Sequence, residues 1–195
     1  MPKHEITPDD IMPLADYAKV RAERRRAVTA MKQNRRVAVG PDATFYFENR
    51  DTMWHQIHEM LFIEKGGADQ VEDELRAYNP LIPKGRNLSA TFMIEIEDSV
   101  RRERVLKTPG GIEETIALTF AGETVKAVPE GDEERTTPDG KTSSVHFLLF
   151  PFTPQKIAAF RAPGTQAMLA VNHPNYGHIA ILPETVRAEL AKDFD

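Results

Sequence analysis

Three histidines in the C-terminal half of this 195-residue chain, His146, His173 and His178, have the types and spacing of metal ligands. In the stretch VNHPNYGH, a four-residue loop Pro174–Gly177 places His173 directly opposite His178 at the mouth of a hairpin. Cross-strand Cβ atoms lie about 4.5 to 5.5 Å apart, from which two imidazoles can reach one ion. Pro174 stiffens the approach, Gly177 permits positive φ, and Tyr176 stands between the two rings in sequence. His146 enters the strand SVHFLLFPF on the face of Leu148 and Phe150, and a polar ring there needs a partner. Either a backbone carbonyl or an ion would serve. The expected set is His146, His173 and His178.

A second group lies on a helix within NRDTMWHQIHEMLFIEKGG, capped by Asp51 and stopped by Gly66 and Gly67. Helical periodicity puts His55, His58 and Glu59 in one arc of about 100° bordering the apolar side. They are candidates for a further ligand or a proton carrier. HQIHE matches neither the His-Glu-x-x-His signature nor its inverse, and the Glu-x-x-His pair of di-iron bundles is missing. For this helix alone, an amphipathic element with a polar flank explains the pattern better.

These groups must be held by a scaffold whose elements are legible in outline. Thr7 caps a turn opened by Pro8, with Asp9 and Asp10 against its dipole. A longer helix runs from about Leu14 to Gln33, with an apolar stripe of Tyr17, Val20, Ala27, Val28 and Met31. Arg24 falls inside that stripe and is expected to point inward, its stem packed and its guanidinium meeting a carboxylate or a ligand. Arg21, Arg25 and Lys32 form a neighbouring basic face that reads as solvated. RRVAVGPDATFYFE is a hairpin, with strands near Arg36–Val39 and Thr44–Glu48. A short helix DQVEDELRAY, a strand ATFMIEIE, a charged helix DSVRRERVLK and a second hairpin ETIALTF/ETVKAV follow. Residues 129–143, with five acids and no periodicity, read as a mobile acidic loop. SVHFLLFPF, the helix TPQKIAAF, the strands AMLAV and HIAIL and a closing helix complete the chain. Hairpin-type connections without βαβ alternation give an α+β fold: a single domain over 1–195, a mostly antiparallel sheet, and the N-terminal helical segment 1–35 packed on one face.

Composition narrows the chemistry. No cysteine is present, so a metal would be held by nitrogen and oxygen, which suits zinc or non-haem iron and excludes iron–sulfur clusters. No phosphate loop with its lysine and no Gly-x-Ser-x-Gly elbow occurs, so there is no nucleotide motif. Residues 1–36 carry nine Lys/Arg against five Asp/Glu, net +4, so the remainder of a chain of net charge −5 carries −9. That balance disfavours nucleic acid, RAERRRAV notwithstanding. Neither a signal-peptide core nor a membrane-spanning run is found, and the expected location is cytoplasmic.

Together, NRRVAVGPDATFYFENRDTMWHQIHEML, AYNPLIP, KTSSVHF and VNHPNYGH resemble the Domain of Unknown Function 3501 family across nearly the whole chain. The resemblance implies no assigned activity and no catalytic residues. The family's genes tend to lie beside rubrerythrin-like proteins and an iron–sulfur oxidoreductase, which implies oxidative-stress or electron-transfer chemistry and tips a bound metal toward iron. Two functions follow as expectations. One is a histidine-ligated metal protein. The other is a non-catalytic partner or assembly subunit that docks on a redox protein, such as a rubrerythrin, through its basic helix and acidic loop. A homodimer is compatible with either.

Overall fold

The computed structural model describes residues 4–131 and 142–195. Its elements in chain order are α1 (Leu14–Gln33), β1 (Arg36–Val39), β2 (Ala43–Glu48), α2 (Arg50–Glu64), α3 (Ala68–Tyr78), β3 (Asn87–Ile94), α4 (Ser99–Leu106), β4 (Ile116–Phe120), β5 (Glu123–Lys126), β6 (Val128–Pro129), β7 (Val145–Pro151), α5 (Pro154–Arg161), β8 (Ala167–His173), β9 (Tyr176–Ile181) and α6 (Glu184–Leu190). The α+β class holds, with the strands in two antiparallel sheets rather than one: β1-β2-β3-β7-β6 and β5-β4-β8-β9. Hairpin signals fix which neighbours pair, but they do not say which hairpins share a sheet. Most of the expected acidic loop, residues 132–141, lies outside the described residues; its start forms β6 beside β7.

Strand alternation divides the five-stranded sheet into two working faces. Phe45 and Phe47 of β2, Leu88, Ala90 and Phe92 of β3, and Leu148 and Phe150 of β7 point into a core shared with the second sheet, which contributes Ile116, Leu118, Leu169 and Val171. Phe45 and Phe92 are direct cross-strand partners with ring centroids 4.8 Å apart. Each fully buried ring of this kind contributes about 1.5 to 3 kcal/mol. At one end, Phe120, Phe152, Phe160 and Phe194 stack edge and face, bringing α5 and the C-terminus onto the sandwich.

The opposite face meets α2 and α3. Ile6, Met53, Ile57, Leu61, Leu75, Leu81 and Ile82 form this smaller core, with Phe147 packed against it. Within the same layer lies a buried carboxylate the sequence did not flag: Glu48 accepts from Thr52 Oγ1 at 2.6 Å and Thr91 Oγ1 at 2.8 Å. The α2 cap is Asn49, not Asp51. Asn49 and Thr52 bond each other reciprocally, which satisfies two end donors and starts the helix two residues earlier.

α1 is packed differently from every other long element. Of its 20 residues only Tyr17 and Val28 are buried. It lies along α2, Tyr17 level with His55 and His58 and Met31 beside Asn49, so the two helices run antiparallel. Ala27, expected in the apolar stripe, is exposed. No helix among the described residues is long and apolar enough to cross a membrane.

Candidate functional site

The expected histidine set separates in the structure. β8 and β9 are joined by the two-residue turn Pro174–Asn175, and His173 pairs with Tyr176, while His178 pairs with Val171. The four-residue loop is therefore a correction: the two histidines sit two rungs apart instead of opposite. The physical reason is Tyr176. Its ring is pulled inward, and its hydroxyl donates to Val39 O at 2.8 Å and accepts from the backbone N–H groups of Asp42 and Ala43 at 3.0 and 2.9 Å. One phenol thus satisfies three backbone groups of the β1–β2 turn and fixes the strand register from a distance.

His178 continues the same latch. Its ring packs on Tyr176 and against Gly40, where an added Cβ would lie 2.6 Å from His178 Cγ and 2.8 Å from Tyr176 Oη. Gly40 also has φ +73°, so both space and backbone require glycine there. His173 has partners of its own: its Nδ1 accepts from the Asn175 N–H at 3.1 Å and its Nε2 lies 3.3 Å from Gly110 O. His146, buried in β7, has Nε2 2.9 Å from Ser143 O and 3.0 Å from Thr142 Oγ1, with Glu113 Oε2 3.7 Å from Nδ1. The backbone-carbonyl alternative is the one realised.

Among the described residues no three His, Asp or Glu side chains are gathered so as to hold a metal ion. His178 Nδ1 is shielded and bonds to no described residue, but one nitrogen is not a coordination set.

The helical group does converge. Tyr17 is its hub, placed by α1 over the polar flank of α2. Tyr17 Oη lies 2.8 Å from Glu59 Oε1 and 3.0 Å from His55 Nδ1. Arg21 grips Glu59 with both arms, Nε to Oε1 at 2.9 Å and Nη2 to Oε2 at 2.8 Å, and its guanidinium lies 4.6 Å from the Phe62 centroid. The Arg21 hydrogen bond is the largest cause holding the Glu59 carboxyl down to about 2. Burial, then the Glu59 hydrogen bond, raises the Tyr17 phenol far above its ordinary value. Arg21 is therefore an engaged residue, contrary to the solvated face expected of it.

His58 has both nitrogens committed. Nε2 accepts from the Met12 N–H at 3.0 Å, so Nδ1 carries the proton and donates to Trp54 O at 2.7 Å. Its ring stacks on Trp54 at 3.7 Å and it is fully buried, which pushes its pKa below the ordinary value. It ties the N-terminal segment to α2 and has no capacity to ligate. Arg24 is exposed, a second correction: its guanidinium lies 5.0 Å from the Trp54 ring centroid instead of entering the core. The helix stripe supplied an aromatic face at its rim, and a cation rests there without losing its water. Tyr17 and Arg21 are the members sequence reasoning missed. Tyr17 was visible only as an apolar stripe position, and only its spacing of four residues from Arg21 could have paired them on one face.

The protein-family model described as "Protein of unknown function (DUF3501)" matches residues 5–194. A crystal structure described as a novel protein of unknown function from Burkholderia pseudomallei K96243, at 1.90 Å, is similar over 97% of this chain and 99% of that one, with 39% sequence identity and a TM-score of 0.90. No curated protein matches the chain.

Proposed function

The chain belongs to the DUF3501 family, and we propose that it acts as a non-catalytic docking subunit, engaging an acidic protein surface through the outer face of α1. The supporting observation is the state of that helix. It carries Lys19, Arg21, Arg24, Arg25, Arg26 and Lys32 against Asp16 and Glu23, a net charge of +4. Lys19 is paired with Asp16 and Arg21 with Glu59, but Arg25 and Arg26 have no acidic partner among the described residues. They flank a shallow groove of about 650 Å³ lined by Ala18, Ala22, Thr29, Ala30 and Phe62. Small side chains let a partner backbone approach closely, and unpaired arginines at a rim steer an acidic surface into place.

The family resemblance supplies the partner class to try first, a cytoplasmic rubrerythrin-like or iron–sulfur redox protein. The test is a pull-down with Arg26→Glu combined with Ala22→Glu. Capture should fall at least tenfold, and wild-type capture should weaken as salt rises. Unchanged capture by the double variant overturns the reading.

A further inference from the structure

The seam between α1 and α2 holds an imidazole whose free nitrogen is chemically specified. Glu59 is ionised and can only accept, so the single Tyr17 hydroxyl proton is donated to it. Tyr17 Oη must then accept from its other neighbour, His55 Nδ1 at 3.0 Å. Burial, the largest cause acting on His55, lowers its pKa and keeps it neutral at neutral pH. A neutral imidazole that carries its proton on Nδ1 has its lone pair on Nε2. That nitrogen bonds to none of the described residues, and His55 is half-buried.

Two cations share the arc of α1 that is turned toward it. Counting from Arg21 at about 100° per residue, Lys32 falls near 20°, Arg25 near 40° and Val28 near 340°. Val28 is buried, so this arc of α1 is the one turned to the seam. Helical side chains lean toward the N-terminus, which brings Lys32 back along the seam toward His55. Neither Arg25 nor Lys32 has a carboxylate partner among the described residues, and the positive charges of Lys32, Arg21 and Arg25 all act on the His55 ring.

We propose that His55 Nε2, Arg25 and Lys32 form a binding site for the hydrogen phosphate ion. The cations meet the charged oxygens, and the lone pair of Nε2 accepts the P–O–H proton that this oxyanion keeps at neutral pH. Sulfate has the same shape but no proton, so its oxygen would face the Nε2 lone pair acceptor to acceptor. A phosphomonoester, whose second pKa is about 6, is largely unprotonated at neutral pH and meets the same penalty. The site therefore selects inorganic phosphate over both. Arg25 is shared with the docking groove, but the two readings are separable: Ala22 and Arg26 lie outside this site, and His55 and Lys32 lie outside the groove.

The test is titration calorimetry of the full chain at neutral pH with inorganic phosphate, sulfate and glycerol phosphate. Phosphate should bind at least tenfold more tightly than either competitor. His55→Ala should abolish that preference, while Arg25→Met with Lys32→Met, both at the surface, should weaken phosphate tenfold or more. Nitrogen-15 spectra of the His55 ring should show Nε2 unprotonated in the free protein. Equal affinity for phosphate and sulfate, no phosphate binding, or an Nε2-protonated ring overturns the proposal. If His55→Ala does not fold, the competitor series and the double methionine variant still decide it.

Discussion

The histidines of the sandwich and those of the α1–α2 seam differ in what their nitrogens are occupied with. His173 and His146 are tied to nearby backbone or hydroxyl groups, and His178 is pressed against Gly40. In the seam, His58 is equally committed to backbone, but His55 is held at one nitrogen by a chain running through Tyr17 and Glu59 to Arg21. The first arrangement uses an imidazole as a building part. The second orients an imidazole and leaves half of its chemistry free, as the hydrogen bonds behind a ligating histidine do in metal sites. The difference teaches that histidine density in a sequence says little until each nitrogen's partner is known.

The largest effect that can sharpen this contrast is at Gly40. Gly40→Ala forces a Cβ into the His178 ring at a backbone φ of +73°, so the Tyr176 latch must shift. We expect a loss of about 3 kcal/mol in urea unfolding, combining positive-φ strain with disturbed turn hydrogen bonds. A loss under about 0.5 kcal/mol, the scale of an ordinary surface substitution, would show that His178 is not part of the fold's framework.

Acid should act on the seam next. His55 and His58 have folded-state pKa values lowered from an ordinary 6.5, with burial the main cause in each. Below 6.5 the unfolded chain binds more protons than the folded one, so stability falls as pH drops from there toward the folded-state values. The slope is at most about 1.4 kcal/mol per pH unit for each histidine. Glu59, lowered from 4.5 to about 2, adds its loss in a separate window below 4.5. Urea midpoints measured between neutral pH and about pH 5 should fall, and His58→Gln should flatten the slope. A midpoint that is constant over that range would contradict the neutral, buried assignment.

The smallest expected effect is on metal content. Protein prepared without a histidine tag should carry zinc and iron well below one equivalent, and His173→Ala with His178→Ala should leave that content unchanged by elemental analysis. A stoichiometric metal lost in that double variant would return the sandwich histidines to the centre of the problem.

Much of the fold was readable because local periodicity decides it. The α1 boundaries, the first hairpin and the burial of His146 follow from residue spacing alone. The misreadings share a cause in contacts distant in sequence. The β8–β9 turn tightens because Tyr176 bonds a turn 133 to 137 residues away. Arg24 stays outside because Trp54 offers its ring, and Arg21 goes in because Glu59 waits 38 positions further on. His55, His58 and Glu59 were legible as one arc. The phenol that connects two of them was not, since a tyrosine in an apolar stripe gives no sign that its hydroxyl will be used.

One further consequence belongs to the way α1 is fastened. With two buried side chains and one charged clasp to α2, the helix can lift away while both sheets keep their shared interior, because little apolar area depends on it. The part of the molecule richest in positive charge is thus also the part most easily parted from the rest, a handle whose removal leaves the vessel whole.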